Sequence, residues 1–527
     1  MSFKTMNLKI ALFGGVALLA LNAPAFADDA AILQRLDAMQ KMIDAQQKQI
    51  EQQRAEITNL KHTKTVKPAA VARETPAPAQ AGNQQAQIDE LKTELHAYKN
   101  TQRLEKQDEP VWSFANGRPL VQSPDGRFTF SVRGLGQFDM GYYDQSKSAA
   151  SLPAANGPSL SSGSNFRRAQ LGIAGKLFGD WSYLFNYEFG GSNGSEQQGR
   201  VQSLYLQYDG LKPLAFRVGA YPPPAGIEDG TSAGDTLFIE RNSPSEIARS
   251  LAGGDGRDAV TALYAGDKLF AALSYTGAKT TDAVGSAFGE QTAVLGRVSD
   301  LAYSDNDLNI LVGAMGAYVA NPAYNSAGPG STHTITLATW PELTVDSTGA
   351  KLVSTGAINA DNATAWGVEG AAQWRSLYAQ AGYFGYGIDG TGATPADVNF
   401  DGWYLQGSWV LTGERHAYNK ANGAFSAPKP SIPFSLAGGG LGAWEVALRY
   451  SDLDLNDNEG SVGSAVPTGG IRGGEQQILT AGINWYPNSL IRFLLNYEHV
   501  NIDRIGAGNA DVGQSINIIA LRSQVAF

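Results

Sequence analysis

The stretch INIIALRSQVAF, Ile516–Phe527, shows the pattern on which the fold depends. Its residues alternate, so that one parity is apolar while the other carries Arg522 and Gln524. Successive side chains of a strand point to opposite faces, and the alternation therefore predicts a strand with one oily and one polar face. The apolar parity holds Ile519, Leu521, Val525 and Phe527, and the other holds Ala520, Arg522, Gln524 and Ala526.

The same period of two begins near Phe128 and recurs to the end of the chain. A soluble sandwich also alternates, so the length of the connections has to separate the two fold classes. Sixteen strands are counted, and the connections between them are long and short in turn, except that 412–441 is long in a short-turn position. The alternating copies include 128–143, 181–189, 443–450 and 491–500. The long connections lie near 143–165, 221–257, 278–290, 319–363, 388–399, 453–474 and 502–512, a medium one lies near 190–200, and the short ones lie near 179–180, 209–213, 266–268, 303–307, 375–377 and 487–489.

This pattern predicts an all-β fold, a 16-stranded antiparallel transmembrane β-barrel with an N-terminal α-helical coiled-coil extension. In lipid every backbone polar group must be paired within the protein, and only a closed sheet leaves no edge. Phe527 and the tryptophans of the apolar parity are expected to form the aromatic girdle of such a barrel. The tryptophans are Trp181, Trp366, Trp374, Trp403, Trp409, Trp444 and Trp485.

Composition sets the outer limits of this interpretation. The chain has 527 residues, of which 43% are hydrophobic and 61 are glycine, and it has no cysteine. Disulfide scaffolds and thiol chemistry are thereby excluded. The formal charge is −10 and becomes −12 when the two lysines before residue 10 are removed, and an acidic balance argues against nucleic acid as a partner.

The first hundred residues predict export and an extension that precedes the barrel. Two lysines followed by the apolar run 10–21 and by AFA at 25–27 are typical of a cleaved signal peptide. Leu36 and Ile43 begin a heptad seam, which predicts a coiled coil, with a lone polar helix as the alternative. The predicted segments are a signal peptide at 1–27, a coiled-coil helix at 28–62, a Pro/Ala/Gln-rich linker at 63–86, a short helix at 87–108, a lead-in at 109–127 and the barrel at 128–527.

The polar parity of the strands defines a predicted inner face that carries more base than acid. Arginine stays charged and offers a planar fork of donors, so rings of such residues suit an anion pore. The alternative is that each arginine pairs with a neighbouring carboxylate and supports the wall. The inward basic residues are Arg133, Arg168, Lys176, Arg217, Arg297, Arg449, Arg492 and Arg522, and the inward acids are Asp139, Glu188, Glu369, Glu445 and Glu498.

The connection 221–257 is too long to be an idle loop and is predicted to fold inward and narrow the barrel. Its three arginines, Arg241, Arg249 and Arg257, are then candidates for the constriction. They are opposed by Glu228, Asp229, Asp235, Glu240, Glu246 and Asp255.

Five stretches carry a resemblance to a known family: FRRAQLGIAGKLFGDWSYLFNYEF at 166–189, LFIERNSPSEIAR at 237–249, WYLQGSWVLTGERHAYN at 403–419, GAWEVALRYSDLDLND at 442–457 and GINWYPNSLIRFLLNYEHV at 482–500. They resemble the phosphate-selective porin O/P family of Gram-negative outer membranes. The resemblance implies a sixteen-stranded trimeric barrel, passive diffusion, a preference for anions and a third external loop folded inward. It also implies arginines along the pore and a lysine cluster at the constriction, whereas 221–257 contains no lysine.

The sequence therefore predicts an integral outer-membrane porin through which small anions diffuse, with phosphate or polyphosphate as candidates. A general or sugar-permeable porin is the first alternative, and a structural tether or adhesin that uses the coiled-coil stalk is the second. The expected partners are small anions, outer-membrane lipid and two further copies in a homotrimer. The N-terminal extension, placed in the periplasm, serves trimerisation or reaches towards peptidoglycan. We expect no catalytic centre, metal or cofactor, because the five histidines are scattered and no G-x-S-x-G motif occurs.

Overall fold

A computed structural model describes residues 92–93, 109–115, 117–146, 159–190, 199–280, 291–325, 331–392, 397–506 and 508–527. The predicted signal peptide, coiled coil and linker lie outside these residues. Of the predicted short helix at 87–108, only Lys92 and Thr93 are described before residue 109, and both are helical. Across the described ranges, no helix is long and apolar enough to cross a membrane.

Sixteen antiparallel strands form a closed barrel, which confirms the predicted strand number. Each strand pairs with the next one along the chain, and the last strand pairs with the first, with Arg522 opposite Asp139. The barrel strands are β3 (Thr129–Gln145), β4 (Gly163–Leu177), β5 (Trp181–Glu188), β6 (Arg200–Leu211), β7 (Leu214–Tyr221), β8 (Arg257–Ala265), β9 (Leu269–Lys279), β10 (Thr292–Ser304), β11 (Leu308–Asn321), β15 (Ile358–Trp374), β16 (Leu377–Gly390), β17 (Val398–Val410), β20 (Ala443–Asp457), β21 (Ile471–Tyr486), β22 (Ile491–Asp503) and β23 (Gln514–Ala526).

The period of two separates an oily outside from a polar inside. On β23, Leu521 is exposed, whereas Arg522 is buried within the barrel. Phe527 pairs with Gly134, and a Cβ built on that glycine would lie 2.4 Å from the Phe527 ring, so the ring covers the glycine. The other predicted girdle aromatics also lie on the outer face. Trp181, Trp366, Trp374, Trp403, Trp409 and Trp444 are exposed, and Trp485 is partly exposed.

The lead-in at 109–127 contains a hairpin that the sequence did not predict. Its strands β1 (Val111–Ala115) and β2 (Arg118–Gln122) pair with each other, and β2 continues onto the start of β3. Gly117, between the two strands, has a φ of +74°, a value that glycine adopts without strain. The hairpin brings Arg118 to the barrel end that carries the short turns, which we call the short-turn end.

Three insertions enter the barrel, where the sequence predicted one inward loop. Residues 222–256 form the predicted loop, and the described residues 322–325 and 331–357 enter from the same end. The connection 411–442, which was long in a short-turn position, enters from the short-turn end. The insertions contain the helices α1 (Ile227–Gly230) and α2 (Ser243–Ala252), the strands β12 (Thr334–Ile335), β13 (Ala338–Thr339) and β14 (Val353–Ser354), and the strands β18 (Ala417–Asn419) and β19 (Ala424–Ser426).

The inserted segments have an apolar core of their own inside the barrel. Ile247 of α2 and Leu343 of the second insertion are buried in one cluster with Phe384 and Leu453 of the wall. Asn242 caps α2 by accepting a hydrogen bond from the Ser245 backbone amide at 2.9 Å. Such a cluster fixes the loop in one position, because it cannot leave the wall without exposing these side chains to water.

We predict that Gly175→Ala lowers the free energy of unfolding by about 1–3 kcal/mol, as overpacking does. A Cβ at this position on β4 would lie 1.8 Å from the Thr129 carbonyl oxygen on the paired strand. Gly316→Ala on the outer face of β11 is the matched control, since its Cβ would meet nothing within 4 Å. Urea titration in phosphocholine bilayers measures both; equal stabilities would show that the β3–β4 contact is not as close as described.

Candidate functional site

The inward loop 222–256 packs against one half of the wall and leaves a channel beside the other half. Its helix α2 contacts β11, β15, β16, β17 and β20. A cavity of about 360 Å³, which we call the upper cavity, lies between the loop and strands β3 to β10. Its charged lining consists of seven arginines and two aspartates. They are Arg118, Arg133, Arg168, Arg217, Arg241, Arg249 and Arg297, with Asp229 and Asp255.

A second and larger cavity of about 1190 Å³, which we call the lower cavity, adjoins the upper cavity at the short-turn end. The two cavities share Arg118, Ser232 and Phe527 among their lining residues, so they lie next to each other inside the barrel. The second cavity also carries more basic than acidic side chains. These are Arg118, Arg415, Lys420, Lys429 and Arg492, with Asp235 and Glu414.

Six of the seven arginines of the upper cavity have no carboxylate partner within the described residues. Neutral groups hold four of the six instead. Arg168 donates to Gln137 Oε1 at 2.7 Å, and Arg217 donates to Gln207 Oε1 at 2.8 Å. A guanidinium that is held by an amide oxygen keeps its positive charge uncompensated. Arg241 donates likewise to the Thr231 carbonyl at 2.9 Å, and Arg297 to the Gly423 carbonyl at 2.7 Å.

Aromatic faces give further support to two of these arginines. The guanidinium of Arg217 lies 4.3 Å from the ring centre of Tyr205 and 5.2 Å from that of Tyr221. Arg297 lies 4.9 Å from the ring centre of Phe270. The quadrupole of an aromatic ring attracts a cation without neutralising it. Each of these three rings therefore has one face covered by a guanidinium, although all three residues line the cavity.

Other arginines are neutralised by carboxylates, and these anchor the insertions. Arg522 donates to Asp139 through two nitrogens, at 2.6 Å each, and to Glu240 of the loop at 3.0 Å. Glu240 also accepts from Arg167 at 2.6 and 3.0 Å. Buried pairs of this kind fix the position of a chain segment, since breaking one leaves an uncompensated charge.

The second insertion is anchored in the same way. Glu342 forms a buried ion pair with Arg449 of β20. Its carboxylate also accepts from the Ser243 backbone amide at 2.8 Å and from the Ser451 hydroxyl at 2.6 Å. One carboxylate thereby connects the second insertion, the first residue of α2 and the wall.

The predicted wall residues divide into three groups. Arg133, Arg168, Arg217 and Arg297 line the upper cavity, and Arg492 lines the lower one. Arg449 and Arg522 point inward but lie in buried ion pairs, away from both cavities. Lys176 is exposed near the short-turn end and lines neither cavity. The five predicted inward acids, Asp139, Glu188, Glu369, Glu445 and Glu498, are all buried.

Of the three loop arginines, two reach the cavity. Arg241 and Arg249 line it, and Arg249 is neutralised by Asp229 and Asp255 at 2.5 Å each. Arg257 is 4% exposed and lines neither cavity. It donates to the carbonyl oxygens of Ser250, Gly253 and Gly277, so it fastens the base of the loop.

Sequence reasoning missed Arg118 and Arg167. Arg118 lies in the unpredicted hairpin. Arg167 is the extra residue of a β-bulge, because Arg168 pairs with Gln137 while Phe166 pairs with Phe138. The bulge turns both neighbouring arginines inward. The Arg-Arg doublet was a usable signal, since strict alternation would place one of the two charges in lipid.

The pKa of Glu240, a loop residue, gives a testable pH dependence. Burial would raise this pKa, but Arg167 and Arg522 outweigh burial and hold it well below its usual value. A depressed folded pKa contributes stability above the unfolded pKa, and this stability is lost as pH falls through the folded value.

We therefore predict that Glu240→Gln lowers the free energy of unfolding by about 3 kcal/mol at pH 7. The difference from wild type should shrink once the pH falls below about 4. Glu246→Gln is the control, with an expected loss below about 1 kcal/mol, because Glu246 is 31% exposed and Arg249 keeps two other carboxylates. Urea titrations at several pH values measure this; equal losses, or a difference that does not change with pH, would contradict it.

Comparison with known proteins gives the family. The model of a family described as phosphate-selective porin O and P matches residues 149–527. Porin O of Pseudomonas aeruginosa is 24% identical over 399 residues, which cover 74% of this chain and 87% of that protein. An uncharacterized protein of Caulobacter vibrioides is 26% identical over 433 residues, 78% of this chain and 76% of that protein. A solved anion-selective porin from Comamonas acidovorans is similar with a TM-score of 0.44 and 12% identity, over 76% of this chain and all of that one.

The matched residues take in fifteen of the sixteen barrel strands and the inward loop, whereas β2 with Arg118 and β3 with Arg133 precede the matched range. The chain therefore belongs to the phosphate-selective porin O and P family and is an outer-membrane porin.

Proposed function

We propose that the channel conducts small anions by passive diffusion. The observation that carries this proposal is the set of six cavity arginines without a carboxylate partner in the described part of the chain. Seven arginines and two aspartates give the upper cavity a side-chain charge of +5, whereas the whole chain carries −10. A narrow passage with low-dielectric walls concentrates the field of such charges on a passing ion.

Among the anions, we propose phosphate and polyphosphate as the solutes that the channel conducts. A guanidinium presents parallel N–H donors that match two oxygens of a phosphate, and this bidentate contact adds geometry to charge. The inward loop has no lysine, and Arg249 is already occupied by two aspartates. Recognition would then depend on Arg241 and on wall arginines such as Arg133 and Arg217.

The alternative of a sugar-permeable porin receives less support. Sugars stack on open aromatic faces, and the cavity aromatics Tyr205, Tyr221 and Phe270 each have one face occupied by an arginine, which leaves less ring surface for a sugar. The family assignment gives a channel and gives no sign of catalysis.

The remaining predictions stay proposals that depend on the sequence and the resemblance. They are export through a cleaved signal peptide at 1–27, a homotrimer, and a periplasmic extension that serves assembly or contacts peptidoglycan through the heptads of 28–62. The tether alternative depends on the same extension, so deleting residues 30–110 and measuring conductance separates a stalk function from the pore function.

Replacing Arg118, Arg133 and Arg217 together with Gln tests anion selectivity. All three are partly exposed in the cavity lining, and none forms an ion pair within the described residues, so the replacement leaves no described carboxylate without a partner. We expect the ratio of chloride to potassium permeability to fall at least about threefold, the effect of one unit charge roughly 6 Å from an ion in a water-like medium. The reversal potential under a KCl gradient in planar bilayers is the measurement.

The control for this variant removes the same charge elsewhere. Arg127, Lys176 and Lys212 are exposed near the short-turn end and line neither cavity. Replacing these three with Gln should leave the reversal potential close to that of wild type. If both triple variants behave alike, the lumen arginines do not set the selectivity.

Phosphate recognition needs a separate test that keeps the charge. Arg133→Lys combined with Arg217→Lys retains two cations but removes two guanidinium forks. We expect the anion preference to persist, while the phosphate concentration that half-blocks chloride current rises about tenfold, equivalent to one charged hydrogen bond. Unchanged block by phosphate would refute recognition through these forks and would leave general anion selectivity standing.

A further inference from the structure

The connection 411–442 ends in an apolar hairpin that the pore does not use. Its segment 430–443 contains no charged residue. All but one of the other turns at the same end contain at least one charged residue, for example the Asp-Asn-Asp turn at 305–307. Leu436 at its tip is 92% exposed, and Ile432 and Leu441 are 67% and 66% exposed. None of these three side chains lines either cavity of the lumen.

The hairpin is ordered by hydrogen bonds and not by its own core. The Ser435 backbone amide donates to the Gly440 carbonyl at 3.0 Å, and the Phe434 amide donates to the Pro487 carbonyl at 2.7 Å. Gly439 has a φ of +72°, which favours glycine, and a Cβ on Gly440 would lie 2.0 Å from the Pro433 carbonyl oxygen. The backbone therefore holds the apolar tip in an exposed position.

The hairpin lies on the outer side of the barrel and continues the tryptophan belt. Both Trp444 and Trp485 donate their indole N–H to the Leu441 carbonyl, at 3.2 and 3.0 Å. The Phe434 ring packs edge-on against Trp485, which also stacks on Phe493. Tryptophans of this face point at lipid near the membrane boundary, so the hairpin begins where the lipid contact of the wall ends.

We infer that residues 431–442 form an interfacial anchor that inserts Leu436 and its apolar neighbours into the headgroup and acyl boundary of the periplasmic leaflet. Short turns of an outer-membrane barrel lie on the periplasmic side, which gives the leaflet. The occupant is phospholipid, because the patch is continuous with the lipid-facing belt and carries no charge. The inference is independent of the solute that the pore conducts.

A single-cysteine probe tests this directly, because the natural sequence contains no cysteine. Leu436→Cys is labelled with bimane and the full chain is placed in lipid nanodiscs, which expose both membrane faces to solution. We expect brominated phosphatidylcholine to reduce the emission at least about twofold, since an interfacial residue lies roughly 5–10 Å into the boundary. Aqueous iodide should have little effect.

Asn306→Cys, in the exposed polar turn 305–307, is the matched control and should show the reverse pattern. The inference is overturned if the label at 436 responds to iodide as the label at 306 does. It is also overturned if neither quencher reaches position 436, because a protein surface would then cover the hairpin.

Discussion

A backbone amide that crosses a bilayer has no water to bond with, so it must find its partner inside the protein. In this chain that requirement joins β23 to β3, which are separated by nearly the whole barrel sequence. Because the sheet is closed, alternate residues of each strand face either the lipid or the barrel interior, and this explains the period of two in the sequence. The ion pair between Arg522 and Asp139 lies on this seam, where the register places the two residues opposite each other.

Inside the closed wall, the partner of an arginine decides what the arginine does. Arg449 and Arg522 bind carboxylates and hold two insertions against the wall. Arg217 and Arg297 are held by amide oxygens, carbonyl oxygens and ring faces, which orient a guanidinium and leave its charge in place. The cavity is therefore positive although the whole chain is acidic. Most of the carboxylates inside the barrel either anchor the insertions or neutralise Arg249.

The sequence was sufficient for features that depend on local pattern. Alternation and connection length predicted sixteen strands, and the length of 221–257 predicted an inward loop. Arg449 and Arg217, however, both lie on the inward, polar side of their strands. Only the fold shows that Arg449 contacts an insertion whereas Arg217 lines the cavity. The same limit applies to Arg167, since a bulge is defined by the partner strand and not by the strand that carries it.

The second and third insertions were missed for a related reason, which is that distant residues hold them. Phe425 of β19 and Ile227 of α1 share one buried cluster, although one enters from the short-turn end and the other from the opposite end. This contact joins the two insertions inside the barrel. The neighbouring Gly423 carbonyl holds Arg297, and the Thr231 carbonyl, just after α1, holds Arg241. An apolar contact thus sets the positions of the carbonyls that aim two lumen arginines, and the electrostatics of the pore depend on packing that no charge pattern in the sequence could indicate.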